Sequence, residues 1–320
     1  MAKQMLGELS EGQAVRTAAF VKSHKLLPFK NKPGVFLALT VSDRSGTVEA
    51  KAFTNAEEFA ARAQDGTVVL LVGRCESYQG AVSLVLDSVE TWAEPLDPAD
   101  FVPAYAGDVA VLEAKLDALV ASLTDPDLGA LVRAIFSDPE IRPKYLQAPA
   151  AKGMHGAYLH GLLEHVVRQA ELADAACRCY PQARRDLVIA GVLLHDIGKI
   201  NEFSWSLGID YTDLGRLEGH CVNGDRIVEH YARELGTDLH TALLLRHLIL
   251  SHHGQAEFGA PVIPQILEAV ILHAVDNLEA KATHCIEMLA TGDPNRTWSD
   301  YDRIEGRFWY KGPAGERVTG

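Results

Sequence analysis

Residues 1–93 read as short β-strands. Residues 35–40 form an apolar run rich in β-branched and aromatic side chains. The next residues, 41–47, carry turn formers in their middle: Ser42, Asp43, Ser45 and Gly46. Residues 48–53 then alternate, with Val48, Ala50 and Ala52 on one side and Glu49, Lys51 and Phe53 on the other. A strand with one buried face requires that period of two, because successive side chains point to opposite faces. A short helical stretch at 55–63 is followed by strand candidates at 67–74 and 82–86, with Tyr78, Gln79 and Gly80 turning between them. Several short strands with one small helix predict a small closed barrel.

The period changes after residues 94–110, a stretch with Pro95, Pro98 and Pro103 that reads as a linker. Residues 111–123 repeat Leu112, Leu116, Leu119 and Leu123 at helical spacing. Helical patterns continue at 127–137, from the Ser137-Asp138-Pro139-Glu140 start, and at 159–180, 183–194, 219–235, 237–251 and 264–290. The expected class is therefore multidomain α and β. A β-barrel domain at 1–93 precedes an all-α helical domain at 111–320.

Composition narrows this only a little. The 320 residues suit two domains, and 48% apolar with 23% charged side chains is ordinary for a soluble protein. No apolar run reaches transmembrane length, so no membrane partner is expected. The start lacks a signal-peptide pattern, so the expected location is cytoplasmic. The five cysteines are an odd number without a CxxC pair, which argues against a disulfide framework or a structural zinc site. The formal charge of −13 argues against a general nucleic-acid coat, but residues 1–93 balance ten basic against ten acidic side chains. Within residues 1–32 the ratio is six to two, so a local basic patch is possible there.

Candidate chemistry comes from the 13 histidines and their neighbours. His165 lies on the 159–180 helix, His195 and Asp196 end the apolar run 187–194, and His220 opens the next helix. His252 and His253 end the 237–251 helix, and Asp276 sits inside an apolar helix. A buried carboxylate such as Asp276 requires a partner. Hydrolysing a phosphodiester at neutral pH needs a strong nucleophile and compensation for phosphoryl charge. Divalent ions supply both, and imidazole with carboxylate suits them. His230, His240, His247, His273 and His284 read instead as packed or surface residues.

The series His165, His195-Asp196 and Asp276 resembles the H…HD…D signature of the HD phosphohydrolase superfamily, with 194–199 (LHDIGK) a common form of its centre. The chain is more closely similar to the YhaM-type 3′→5′ exoribonucleases. The segments that carry this likeness include 155–158, 161–165, 250–254, 257–262, 272–277 and 307–311. The resemblance implies an N-terminal OB-fold and a C-terminal HD domain. It implies removal of nucleoside 5′-monophosphates from the 3′ end of single-stranded RNA, with single-stranded DNA as a further substrate, by a homo-oligomer. It also implies that His165, His195, Asp196 and Asp276 hold one ion, and that His220, His252 and His253 complete a second site with Asp196 bridging. Mn²⁺ is the expected ion; Fe²⁺, Co²⁺, Mg²⁺ or Zn²⁺ also suit such ligands.

Catalytic expectations extend to Lys199, for a phosphate oxygen, and to His155, for phosphate contact or protonation of the leaving oxygen. His160 departs from the family pattern; support of a neighbouring ligand, a surface position and packing are all open for it. In the barrel, Lys22, Lys25, Lys30 and Lys32, expected on a loop before or opening the 35–40 strand, would follow the backbone of a strand. Phe53 and Tyr78 are candidates to stack on bases. Two competing readings remain. One is an HD phosphohydrolase of free nucleotides or cyclic dinucleotides, against which stand the barrel and the lack of Gly-Tyr-Pro after His252-His253. The other is a non-catalytic OB-fold binding protein, which should have lost ligands.

Overall fold

Five strands close on themselves in the order β1-β2-β3-β5-β4: β1 (Ala14–Pro28), β2 (Val35–Asp43), β3 (Gly46–Ala52), β4 (Val68–Tyr78) and β5 (Ala81–Thr91). The helix α1 (Ala56–Arg62) lies between β3 and β4 in the chain. This is seen in a computed structural model that describes residues 4–78, 81–153, 156–293 and 295–313, without the side chains of Tyr78 and Ala81. The chain divides into two compact units, Met1–Ala104 with Trp205–Ile209, and Tyr105–Ser204 with Asp210–Gly320.

The alternation of β3 translates directly into burial: Val48, Ala50 and Ala52 are buried and Glu49 is exposed. The barrel closes through a parallel pairing of β3 with β5, in which Ala50 faces Leu84. Strand β1 was not expected from the sequence. Its first half pairs with β4 and its second half with β2, and a register shift between Val21 and Ser23 bends it. A bulge breaks the period of two, and Ala18 and Ala19 are both buried, so the alternation that marks a strand is lost here. The consequence is a correction: Lys22 and Lys25 stand on β1, and only Lys30 and Lys32 lie in the β1–β2 connection.

The second unit begins with α2 (Val109–Ala121), α3 (Pro126–Ser137), α4 (Ile141–Gln147), α5 (Gly161–Cys179) and α6 (Arg185–Leu194). A short α7 (Lys199–Glu202) leads into a two-stranded ribbon, β6 (Phe203–Ser204) with β7 (Asp210–Tyr211), which the sequence did not suggest. Then follow α8 (Asp213–Leu235), α9 (Leu239–Ser251) and α10 (Leu267–Ala290).

Helix α6 is the hub. Every residue from Leu187 to Leu194 is buried, and each of its large aliphatics contributes about 1.5–3 kcal/mol by leaving water. Gly191 permits the approach of its neighbours, since a Cβ there would meet Leu248 of α9 at 2.4 Å and Leu272 of α10 at 3.3 Å. Tyr145 of α4 donates its hydroxyl to the Leu193 carbonyl at 2.8 Å, fixing the end of α6 where His195 follows. The expected start of α8 at 219 is also corrected. The helix begins at Asp213 and kinks at Gly219, whose φ of 72° is open to glycine.

Candidate metal centre

The helical unit brings together side chains far apart in the chain. His165 comes from the first half of α5, His195 and Asp196 from the turn after α6, and His220 from just past the α8 kink. His252 and His253 follow α9, and Asp276 lies on α10. His195, Asp196, His165 and His252 are buried. His165, His195 and Asp276 present ligand atoms all within 4.8 Å of one another, as do His195, Asp196 and His252, and as do His220, Cys221, His252 and His253.

The two oxygens of Asp196 face different imidazoles. Oδ2 lies 3.3 Å from His195 Nε2 and 3.6 Å from His165 Nε2, whereas Oδ1 lies 3.5 Å from His220 Nε2 and 3.6 Å from His252 Nε2. Asp276 Oδ1 joins the first set, 3.3 Å from His165 Nε2 and 3.8 Å from His195 Nε2. His253 Nε2 lies 2.9 Å from His220 Nε2. Lys199 ion-pairs with Asp196 Oδ2 at 2.6 Å.

The opposite nitrogens of four rings are engaged elsewhere, which aims Nε2 inward. His195 Nδ1 donates to the Val192 carbonyl at 2.9 Å and His252 Nδ1 to the Ile249 carbonyl at 2.7 Å. His165 Nδ1 pairs with Glu279 at 2.5 Å, and His220 Nδ1 with Glu202 at 3.0 Å. Glu279 in turn accepts from Thr283 at 2.8 Å.

Electrostatics follow from burial against these neighbours. Burial pushes the Asp196 carboxyl up, but Lys199, His195 and His220 outweigh it and hold the group well below the usual carboxylate range. Asp276 is likewise held low, against burial, by the hydrogen bond from His165 and the charges of His195 and His165. Both are ionised at neutral pH. Burial would lower His165, yet Asp276 and Glu279 raise it to about 9. His220 rises to about 10 against its burial, through hydrogen bonds with Cys221 and Glu202 and the charge of Asp196. His253 falls to about 4 through burial and His220.

A cation fits these residues. His195 Nε2, Asp196 Oδ1 and His252 Nε2 are buried with no hydrogen-bond partner among the described residues, and all three belong to one cluster within 4.8 Å. Buried polar atoms without partners cost about 1–3 kcal/mol each, more when charged, so three that converge call for positive charge among them.

Residues 162–281 match the family model of the HD domain. That span holds every one of the seven candidate ligands, and HD domains form a metal-dependent phosphohydrolase superfamily. Residues 15–92, the barrel strands, match the OB-fold nucleic acid binding domain. Among solved structures, the second OB-fold domain of replication protein A from Methanococcus maripaludis is similar at 15% identity over 30% of this chain and 100% of that one, with a TM-score of 0.25. The OB domain of Ta0387 from Thermoplasma acidophilum is 17% identical over 29% of this chain and 92% of its own, with a TM-score of 0.24. Asparaginyl-tRNA synthetase from Pyrococcus horikoshii is 15% identical over 55% of this chain and 45% of its own, with a TM-score of 0.25. An HD domain and an OB-fold on one chain support a hydrolase that acts on nucleic acid.

Other expectations land as follows. His155 lies outside the described residues, and so does the Tyr78 side chain. His160 precedes α5 with a φ of 69°, and its Nδ1 donates to the Leu146 carbonyl at 2.7 Å, a packing role. On the barrel, Lys22, Lys25, Lys30 and Lys32 are all exposed. Phe53, 44% exposed, stands beside Phe36 at 5.7 Å and Phe29 at 6.4 Å between ring centres, with the Lys32 ammonium 4.1 Å from the Phe29 ring. Sequence reasoning missed Phe29 and Phe36, and in the helical unit Glu202, Glu279, Cys221 and Gln169. Spacing offered a signal for two of them. Gln169 is four residues from His165 and Glu279 three from Asp276, so each shares a helix face with a ligand.

Proposed function

We propose that the protein is a 3′→5′ exonuclease that shortens single-stranded RNA, and single-stranded DNA as a second substrate, to nucleoside 5′-monophosphates. The observation that carries the hydrolytic part is Asp196, whose two oxygens face separate imidazole sets in a buried cluster. In this reading His165, His195, Asp196 and Asp276 hold one divalent ion, and Asp196, His220, His252 and His253 hold a second, with Mn²⁺ the expected metal. Such ions lower the pKa of a coordinated water and neutralise charge on the scissile phosphoryl group. Asp196 and Asp276 bring negative charge, and Glu279 and Glu202 hold the His165 and His220 rings in place. Lys199, anchored by Asp196, offers its remaining N–H donors to a phosphoryl oxygen. His155 is assigned to the phosphate or the leaving oxygen. The barrel holds the strand, with Lys22, Lys25, Lys30 and Lys32 along the backbone and Phe53 under a base. Tyr78 is a second stacking candidate. Polarity, product and the homo-oligomer rest on the family resemblance.

The test is digestion of 5′-labelled and 3′-labelled single-stranded RNA with Mn²⁺, with and without chelator. The expected result is a ladder of shortening 5′-labelled products, immediate release of labelled mononucleotide from the 3′ end, and no reaction with chelator. Internal cuts, or turnover of free nucleotides but not of oligonucleotides, would overturn the proposal.

A further inference from the structure

Gln169 lies four residues after His165 on α5, on the face that looks toward the cluster, and it is fully buried. The terminal atom of its amide, assigned as Nε2, stands 2.8 Å from His165 Nε2 and 2.6 Å from Asp276 Oδ1. Those two atoms are themselves 3.3 Å apart. Atoms bound at about 2.0–2.2 Å to one cation, at near right angles, lie about 3 Å from each other. The amide end is thus spaced from His165 and Asp276 as a neighbouring ligand would be.

The other end of the amide tells the same story. Gln169 Oε1 is buried and has no hydrogen-bond partner among the described residues. In the present arrangement the NH₂ group donates to Asp276 Oδ1 and stands against His165 Nε2, the two atoms that a cation would claim. Once the single lone pair of His165 Nε2 turns to a cation, that nitrogen offers the NH₂ group no acceptor. Rotation of the amide by 180° exchanges oxygen and nitrogen within the same envelope. It carries Oε1 to the position beside His165 and Asp276.

We propose that Gln169 is a further ligand of the metal centre, giving its side-chain amide oxygen to the cation held by His165, His195, Asp196 and Asp276. The proposal rests on the metal-centre reading and not on the nuclease reading. A neutral, hard oxygen added to a set of imidazoles and carboxylates favours Mn²⁺ or Mg²⁺ over Zn²⁺. Gln169 would therefore shape which metal the site takes.

The test is calorimetric titration of the chelator-stripped full chain with Mn²⁺ and with Zn²⁺, for wild type, Gln169→Leu, Gln169→Glu and His195→Ala, with circular dichroism to confirm folding. Gln169→Leu should bind Mn²⁺ at least about tenfold more weakly, with a smaller loss for Zn²⁺. Gln169→Glu keeps an oxygen but has no NH₂ to donate, and should bind Mn²⁺ as tightly as wild type or more so. Mn²⁺ affinity unchanged in Gln169→Leu, or lost in Gln169→Glu, would overturn the assignment while wild type still binds and His195→Ala does not. Failure of wild type to bind either ion would instead overturn the metal-centre reading, and this assignment with it.

Discussion

At the scale of single residues, the site depends on a close backbone approach as much as on its ligands. A Cβ at Gly198 would stand 2.0 Å from the His220 carbonyl and 2.7 Å from the Gly224 nitrogen. Both are backbone atoms of α8, so the clash is relieved only by moving the helix that carries His220. Gly198→Ala should therefore lower stability by about 1–3 kcal/mol and weaken metal binding as well. Thermal melts and Mn²⁺ titration check this; a variant with wild-type melting and affinity would show that α8 is free to shift. Asp196→Asn keeps the shape of the bridging side chain and removes its charge. It should abolish metal-dependent hydrolysis with a near-native circular dichroism spectrum, and normal turnover would sink the proposed role. The seven candidate ligands were legible because metal-binding side chains stood out against apolar helix sequence. Glu202 was not, since carboxylates are common on helices, and Gln169 and Glu279 were marked only by sharing a helix face with a ligand, a weak signal that many polar residues give.

At the scale of elements, α6 has to end where it does for His195 and Asp196 to meet the other helices, and its first turn is tied down by Asp186. That carboxylate accepts from the Thr124 nitrogen at 2.7 Å, the Thr124 hydroxyl at 2.8 Å and the Asp125 nitrogen at 2.7 Å, joining α6 to the start of α3. Burial raises its pKa, but these hydrogen bonds and Arg185 more than offset that and leave it lowered. A depressed folded-state pKa stabilises the protein above the unfolded value of about 3.9 and loses that contribution as pH falls through the folded value. Asp186→Asn should thus melt below wild type at pH 6, by the equivalent of about 1–3 kcal/mol, and the gap should narrow below about pH 4. A gap that stayed constant with pH would mean the charge plays no part. Most helices were legible from apolar spacing to within a few residues. Strand β1 was hidden because its bulge and paired buried alanines erase the alternation, and the β6–β7 ribbon is too short to carry any period.

For the molecule as a whole, the proposed function has two units of different chemistry act on one substrate, and salt dependence separates them. The barrel contributes exposed lysines and a cluster of Phe29, Phe36 and Phe53, while the helical unit contributes the buried cluster around Asp196. The acidic total of −13 hides this, because the barrel segment itself is balanced. Lysines that neutralise phosphates release counterions, so each contact to a single strand adds about 0.7 to the slope of log affinity against log salt. If Lys30 and Lys32 track the backbone, the double alanine variant should lose about 1.4 from that slope for a long single-stranded RNA. Its turnover of a dinucleotide should be unchanged. Phe53→Ala should weaken the long strand by about 1–3 kcal/mol with little change in slope, because stacking involves no counterions. An equal loss for long strand and dinucleotide in either variant would place the effect in the helical unit and remove the barrel from substrate binding.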